Sequence, residues 1–116
     1  MKKLLLLPLV LGLLIGSCKK KKEDTKAETV PDCSGGTPSF ASAVSPLIAS
    51  SCAGNGCHAS GSGNGPGALT NYTQIKNAAA GIRSAVLAGT MPQGSTLTNA
   101  QKSTIVCWID AGTPNN

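Results

Sequence analysis

Only sixteen large apolar side chains, from Phe40 to Ile109, are spread along the 84 residues between Cys33 and Asn116. Most of the remainder is glycine, alanine, serine and threonine. A domain this small and this poor in large side chains needs a disulfide, a metal or another embedded group to hold together. Something other than side chains is therefore expected to fill its centre. The same stretch carries four cysteines (Cys33, Cys52, Cys57 and Cys107) and the chain's single histidine, His58.

The residues before Cys33 read as address and tether, not fold. Lys2 and Lys3 precede an apolar run from Leu4 to Ile15, which is short for a membrane span and suits a signal-peptide core. Ile15-Gly16-Ser17-Cys18 resembles a bacterial lipobox. Residues 1–17 are thus expected to be a cleaved signal, with Cys18 lipidated as the first residue of the mature chain. Residues 18–32 have almost no large apolar side chains and many charges, so they are expected to form a flexible charged tether. Its lysines invite a reading as a patch for acidic headgroups, although a solvated linker explains them as well. This reading places the protein outside the cytoplasm, lipid-anchored to a bacterial membrane and facing the periplasm or the outer surface.

The formal charge of +5 belongs mostly to those leading segments. From Cys33 onward Lys76, Arg83 and Lys102 face a single acid, Asp110. With no basic cluster and three aromatic residues, nucleic-acid binding has no support. One carboxylate also leaves no pair for acid–base hydrolysis, so no enzyme activity is expected. The glycines of "GSGNGPG" follow no strand and precede no lysine, which argues against a phosphate-binding loop.

The apolar residues recur at helical spacing, and no segment alternates as a strand does, so the domain is expected to be all-α. Phe40, Val44, Leu47, Ile48 and Cys52 form one stripe. Pro46 interrupts it, so that helix either bends or begins at Ser45 with Pro46 in its first turn. Either way Cys52 falls at its end on the buried face. "NYTQIKNAAAGIRSAVLAG" is helical in propensity, with a split expected at Gly81 and a stop at Gly89. Thr98 and Gln101 have capping-box spacing, Ile105, Trp108 and Ile109 share a face, and Gly112 with Pro114 marks a stop. A helix from Asn99 to Ala111 follows.

The chemistry concentrates in "CAGNGCH", Cys52 to His58. Covalent c-type haem needs two thiols to form thioethers with its vinyl groups, and a histidine beside the second to reach the iron. The usual spacer has two residues; here it is Ala53-Gly54-Asn55-Gly56. Glycine and asparagine tolerate positive φ, so the extra length fits a bulge away from the haem edge. Met91, on an irregular segment 33 residues after His58, suits the other axial position. The bland alternatives are a local Cys52–Cys57 disulfide beside an incidental histidine, and a zinc site drawing on Cys33, Cys52, Cys57 and His58 or Cys107. For Cys33 and Cys107 the most economical use is a disulfide tying the end of the tether to the last helix. Trp108 and Tyr72 read as core residues, Lys76 and Arg83 as solvent-exposed cations. Propionate contacts are the alternative for Tyr72, Lys76 and Arg83.

The order of helix, cysteine–cysteine–histidine motif, connecting helices, methionine segment and final helix resembles class I cytochrome c. More closely, "FASAVSPLIASSCAGNGCH", "LTNYTQIK", "GTMPQGSTLT" and "CWIDAGTPNN" are similar to the small haem-binding cytochrome c-like lipoproteins of Bacteroidetes-type bacteria. The resemblance covers nearly all of Phe40 to Asn116. It implies three to four short helices around one covalent haem c, thioethers at Cys52 and Cys57, proximal ligation by His58 and distal ligation by Met91. In that family the Met-Pro pair is usually followed by a second proline, where this chain has Gln93; the longer spacer also occurs there. The function implied is single-electron transfer by a monomer to redox partner proteins at a membrane surface. Two other functions stay open: a haem-free, disulfide-stapled binding lipoprotein, and a haem-based sensor or peroxidase with an open sixth position.

Overall fold

The computed structural model describes residues 31–116. The expected signal, the lipidated Cys18 and the tether up to residue 30 lie outside the described residues. Among the described residues the secondary structure is helical, with no strand. It comprises α1 (Ser45–Ser51), α2 (Tyr72–Asn77), α3 (Ala79–Ala88) and α4 (Asn99–Asp110). No helix among these residues is long and apolar enough to cross a membrane.

The first helical run begins at Ser39, whose hydroxyl accepts from Ser42 N–H. Residues Phe40–Val44 form a widened, π-helical turn, and α1 continues it with Pro46 in its first turn. The α-helix thus starts at Ser45 with Pro46 in its first turn, as one of the two sequence expectations had it, but it continues a π-helical turn and is not capped by Ser45. The widened turn stops where the donors stop. Ser45 N–H reaches Phe40 O, five residues back, and Pro46 has no N–H with which to continue the pattern. Phe40, Val44 and Ile48 still fall on one buried side.

The helical break also falls elsewhere than at the expected Gly81. The chain turns at Ala78, between α2 and α3, and Gly81 lies inside α3. Ala78 N–H closes α2 onto Gln74 O and Lys76 O, and its carbonyl accepts from Ile82. Asn71 caps the start of α2 through its side chain. The expected stop at Gly89 is present, with φ +68, a conformation that glycine adopts without steric cost.

At α4 the capping box is complete: Thr98 Oγ1 accepts from Gln101 N–H, and Gln101 Oε1 accepts from Thr98 N–H. Its other end is closed by Gly112, at φ +89, with Gly112 N–H on Ile109 O and Thr113 N–H on Trp108 O. α4 ends one residue before the expected Ala111.

Trp108, Ile48, Ile75, Ile105, Val44 and Val106 are the largest fully buried side chains. Phe40 stacks edge-on to Tyr72 and tilted to Trp108, with centroids 5.1 and 5.5 Å apart, which locks the start of the first helical run to α2 and α4. Trp108 Nε1–H donates to Pro114 O, so its polar atom is satisfied within the core. The segment after α4 then returns to the beginning of the domain. Asn116 Oδ1 accepts from Phe40 N–H, and Asn116 O accepts from Ala41 N–H and Ser39 Oγ. These bonds satisfy backbone donors that the first helical turn cannot satisfy itself.

Cys33 and Cys107 form a disulfide, as the sequence reading paired them. Nearby, Asp32 N–H donates to Ser103 Oγ, so the expected end of the tether is fixed along α4 from Asp32 onward.

Candidate haem site

The cysteine–histidine segment begins where α1 ends. Cys52 is the C-terminal cap of α1, and its N–H bonds back to Ile48 O. The four-residue spacer then closes on itself twice. Cys57 N–H donates to Gly54 O, and His58 N–H donates to Cys52 O at 3.1 Å. Gly56, at φ +81, is the spacer residue that needs the left-handed region. The longer spacer is thus taken up as a compact turn with its two ends tied together, which brings Cys52 and His58 into one place.

His58 is 6% exposed and is one of two buried polar residues among those described. Its ring makes one hydrogen bond among the described residues: Nδ1 lies 2.8 Å from Gly67 O. A carbonyl only accepts, so Nδ1 carries the proton. In the neutral ring this leaves Nε2 with a free lone pair. A metal-ligating histidine is typically held this way, by a carbonyl on the nitrogen that does not bind the metal. The backbone of His58 is pinned as well, since His58 O accepts from Leu69 N–H at 2.9 Å.

Two adjoining hollows of about 450 Å³ each share Cys52, His58, Gly65 and Met91 in their walls. One opens past Cys57, Asn64, Pro92 and Gln93. The other runs along Leu69 and the α3 residues Gly81, Ile82, Ala85 and Val86, a mostly apolar wall. Volumes of this size and walls of this kind are usual for cofactor pockets. Gly81 matters here because a Cβ at that position would meet nothing within 4 Å, so the α3 wall is left open at that point.

The two thiols differ in environment. Cys52 is half-buried and Cys57 exposed, and neither is in a disulfide. Burial pushes the Cys52 thiol above the ordinary cysteine range, and the negative charge on Cys57 pushes it the same way. In the haem-free chain with the Cys33–Cys107 bridge intact, iodoacetamide is therefore expected to label Cys57 first at mildly alkaline pH. Peptide mass spectrometry would read the order. Equal rates, or Cys52 ahead, would contradict a Cys52 held in the wall of the hollow.

No match was found among protein-family models, curated proteins or solved structures.

The remaining candidates are engaged elsewhere. Tyr72 Oη donates to Thr113 O at 2.9 Å, and Lys76 Nζ sits 5.6 Å from the Tyr72 ring centre. Arg83 makes a two-pronged ion pair with Asp110, at 2.7 and 3.1 Å. That hydrogen bonding holds the Asp110 carboxyl below the usual carboxylate range. The pair's contribution is therefore present at neutral pH and lost as pH falls through the lowered value, and its exposure keeps it small. A zinc site that draws on Cys33 or Cys107 conflicts with the disulfide they form. Among the described residues, no three His, Cys, Asp or Glu side chains gather as a metal cluster. Sequence reasoning passed over Asn64 and Gly67, whose hydrogen bonds organise the site. The glycine-rich composition around them read only as a loop.

The residues present fit a haem. Two thiols outside any disulfide, an imidazole with Nδ1 occupied and Nε2 free, and a thioether side chain border a largely apolar space.

Proposed function

We propose that this chain is a membrane-tethered monohaem c-type cytochrome that passes single electrons, similar to the cytochrome c-like lipoproteins it resembles in sequence. The observation that carries the reading is His58. Its Nδ1 proton is committed to Gly67 O, which leaves Nε2 as the free ligand atom on a space shared with Cys52, Cys57 and Met91.

Haem c, when bound, supplies a ferric/ferrous couple that takes up and releases one electron. Cys52 and Cys57 would hold it through thioether bonds. His58 and Met91 would hold its iron, a nitrogen and thioether donor set that raises the iron's potential. Gly67 O fixes the imidazole's orientation and tautomer. Leu69, Ile82 and Val86 limit the approach of water and lower the local dielectric. No bond of a substrate is made or broken in this role, and the chain is not proposed to be an enzyme. The same proposal includes export, lipidation at Cys18, action as a monomer and transient docking with redox proteins at a bacterial membrane surface.

The test is a pyridine haemochrome spectrum of chain expressed with c-type haem maturation, recorded after denaturation and acid–acetone extraction. A c-type α band that survives extraction supports the reading. Its absence, with a control cytochrome matured in the same cells, overturns it. Met91→Ala then tests the sixth ligand. It is expected to remove the sulfur-to-iron charge-transfer band and to lower the midpoint potential by on the order of 100 mV, within the ~0.8 V that axial ligation spans. An unchanged spectrum would mean that Met91 does not ligate, and would favour an open-site sensor or peroxidase.

A further inference from the structure

The Asn64 side chain reaches back across the loop to the attachment motif. Its Nδ2 donates to Gly56 O and Cys57 O, both at 3.0 Å. Its own N–H is held by Ser62 Oγ, and the Ser62 hydroxyl in turn donates to Cys57 O. Its main-chain carbonyl accepts from Gly67 N–H, and Gly67 is the residue whose carbonyl holds the His58 ring. One exposed asparagine therefore connects the carbonyl of Cys57 to the carbonyl that orients His58, while lining the hollow beside both. Both of its amide hydrogens are spent on main-chain oxygens of the motif. A hydrogen-bonded clamp of this kind is what a spacer two residues longer than usual needs, because each added residue adds freedom that misplaces the second cysteine and the histidine.

We propose that Asn64 is a positioning residue: it holds the four-residue spacer closed and keeps Cys57 and the His58 imidazole facing the hollow. This rests on the haem reading above for its purpose, but its geometry concerns this chain alone. It acts through Gly56, Cys57 and Gly67 and does not itself ligate or bond covalently. Attachment at Cys57 adds the thiol S–H across a vinyl C=C. The S–C bond forms at one carbon and the hydrogen ends on the other, so no oxidant or reductant is needed.

Two variants of the full chain separate a clamp from a space-filler. Asn64→Asp keeps the shape but replaces the donor with a carboxylate facing two carbonyl oxygens. Asn64→Ala removes the group altogether. Asn77→Ala, at the exposed end of α2, serves as control. The first readout uses the haem-free chain: nitrogen-15 NMR of His58, which distinguishes Nδ1–H from Nε2–H. The wild type is expected to show Nδ1–H, and Asn64→Asp is expected to lose it more completely than Asn64→Ala, with helical circular dichroism retained. The second uses matured chain: intact mass and haemochrome band position, which give the fraction carrying both thioethers. That fraction is expected to fall about tenfold in Asn64→Asp, the lower end of effects seen when a ligand's supporting partner is removed. Wild-type tautomer and full attachment in Asn64→Asp would overturn the proposal, as would a defect in Asn64→Ala alone. If no variant, wild type included, takes up haem, the cytochrome reading fails, and the tautomer measurement still decides whether Asn64 holds His58.

Discussion

A chain with serine at both Cys52 and Cys57 is expected to emerge from c-type maturation with no haem that resists acid–acetone extraction. A hydroxyl is a far poorer nucleophile than a thiol toward a vinyl group, so no thioether forms at either position. The fold is expected to survive the change. Cys52 is a half-buried side chain at the edge of the core, where serine is close in size, and Cys57 is exposed, so neither change opens the core. Circular dichroism should match the haem-free wild type. The single variants are informative because the two thiols differ. Cys57→Ser keeps the half-buried Cys52 and is expected to give a haemochrome band at longer wavelength, since one vinyl group stays conjugated with the ring. Extraction-resistant haem in the double variant would sink the assignment of these two residues as the attachment points.

The second large effect concerns stability. The Cys33–Cys107 bridge closes a loop with a sequence separation of 74 residues. In the chain-entropy account such a bridge disfavours the unfolded state by about 4 kcal/mol, and measured values run about 2–5 kcal/mol for small secreted domains. Native stabilities are only about 5–15 kcal/mol, so this is a large share. Cys33→Ala with Cys107→Ala is therefore expected to lower stability of the haem-free domain by about 2–4 kcal/mol. Alanine is preferable to serine at position 107, because that side chain is buried and alanine adds no polar group there. With urea slopes of about 1–3 kcal/mol/M, the midpoint should fall by roughly 0.7–4 M. Wild type in reductant should follow the same curve. A midpoint that does not move would mean that the bridge constrains nothing.

Features whose cause is local were legible in the sequence. The Thr98–Gln101 capping box, the Gly89 and Gly112 stops and the face shared by Ile105 and Trp108 each depend on a few neighbouring residues, and each is present. The disulfide followed from chemistry rather than locality, since two cysteines outside the motif needed a use. The departures have physical reasons. An apolar stripe at i, i+4 and i+8 fits a π-helical turn nearly as well as an α-helical one over so short a run, so Phe40–Val44 could not be told from ordinary helix. Gly81 looked like a breaker because glycine is costly inside helices. In the structure it belongs to the wall of a hollow, where the lack of a side chain leaves space. Tyr72's partner, Thr113 O, lies 41 residues away and follows only from the assembled fold. The same holds for the candidate site. Cys52, Cys57, His58 and Met91 could be chosen by chemistry and spacing, whereas Asn64 and Gly67 act through main-chain oxygens that no residue pattern announces.

The bridge between Cys33 and Cys107 also sets the mechanical path through the domain. Tension entering at residue 32 and leaving at residue 116 passes through the sulfur–sulfur bond straight to the end of α4 and the short segment behind it. Residues 34–106 form a covalent side loop off that line, and Cys52, Cys57, His58 and Met91 all lie within it. A pull on the leading segment can thus strip Asn116 from the first helical turn, yet it cannot draw out the walls of the hollow while the bridge is closed.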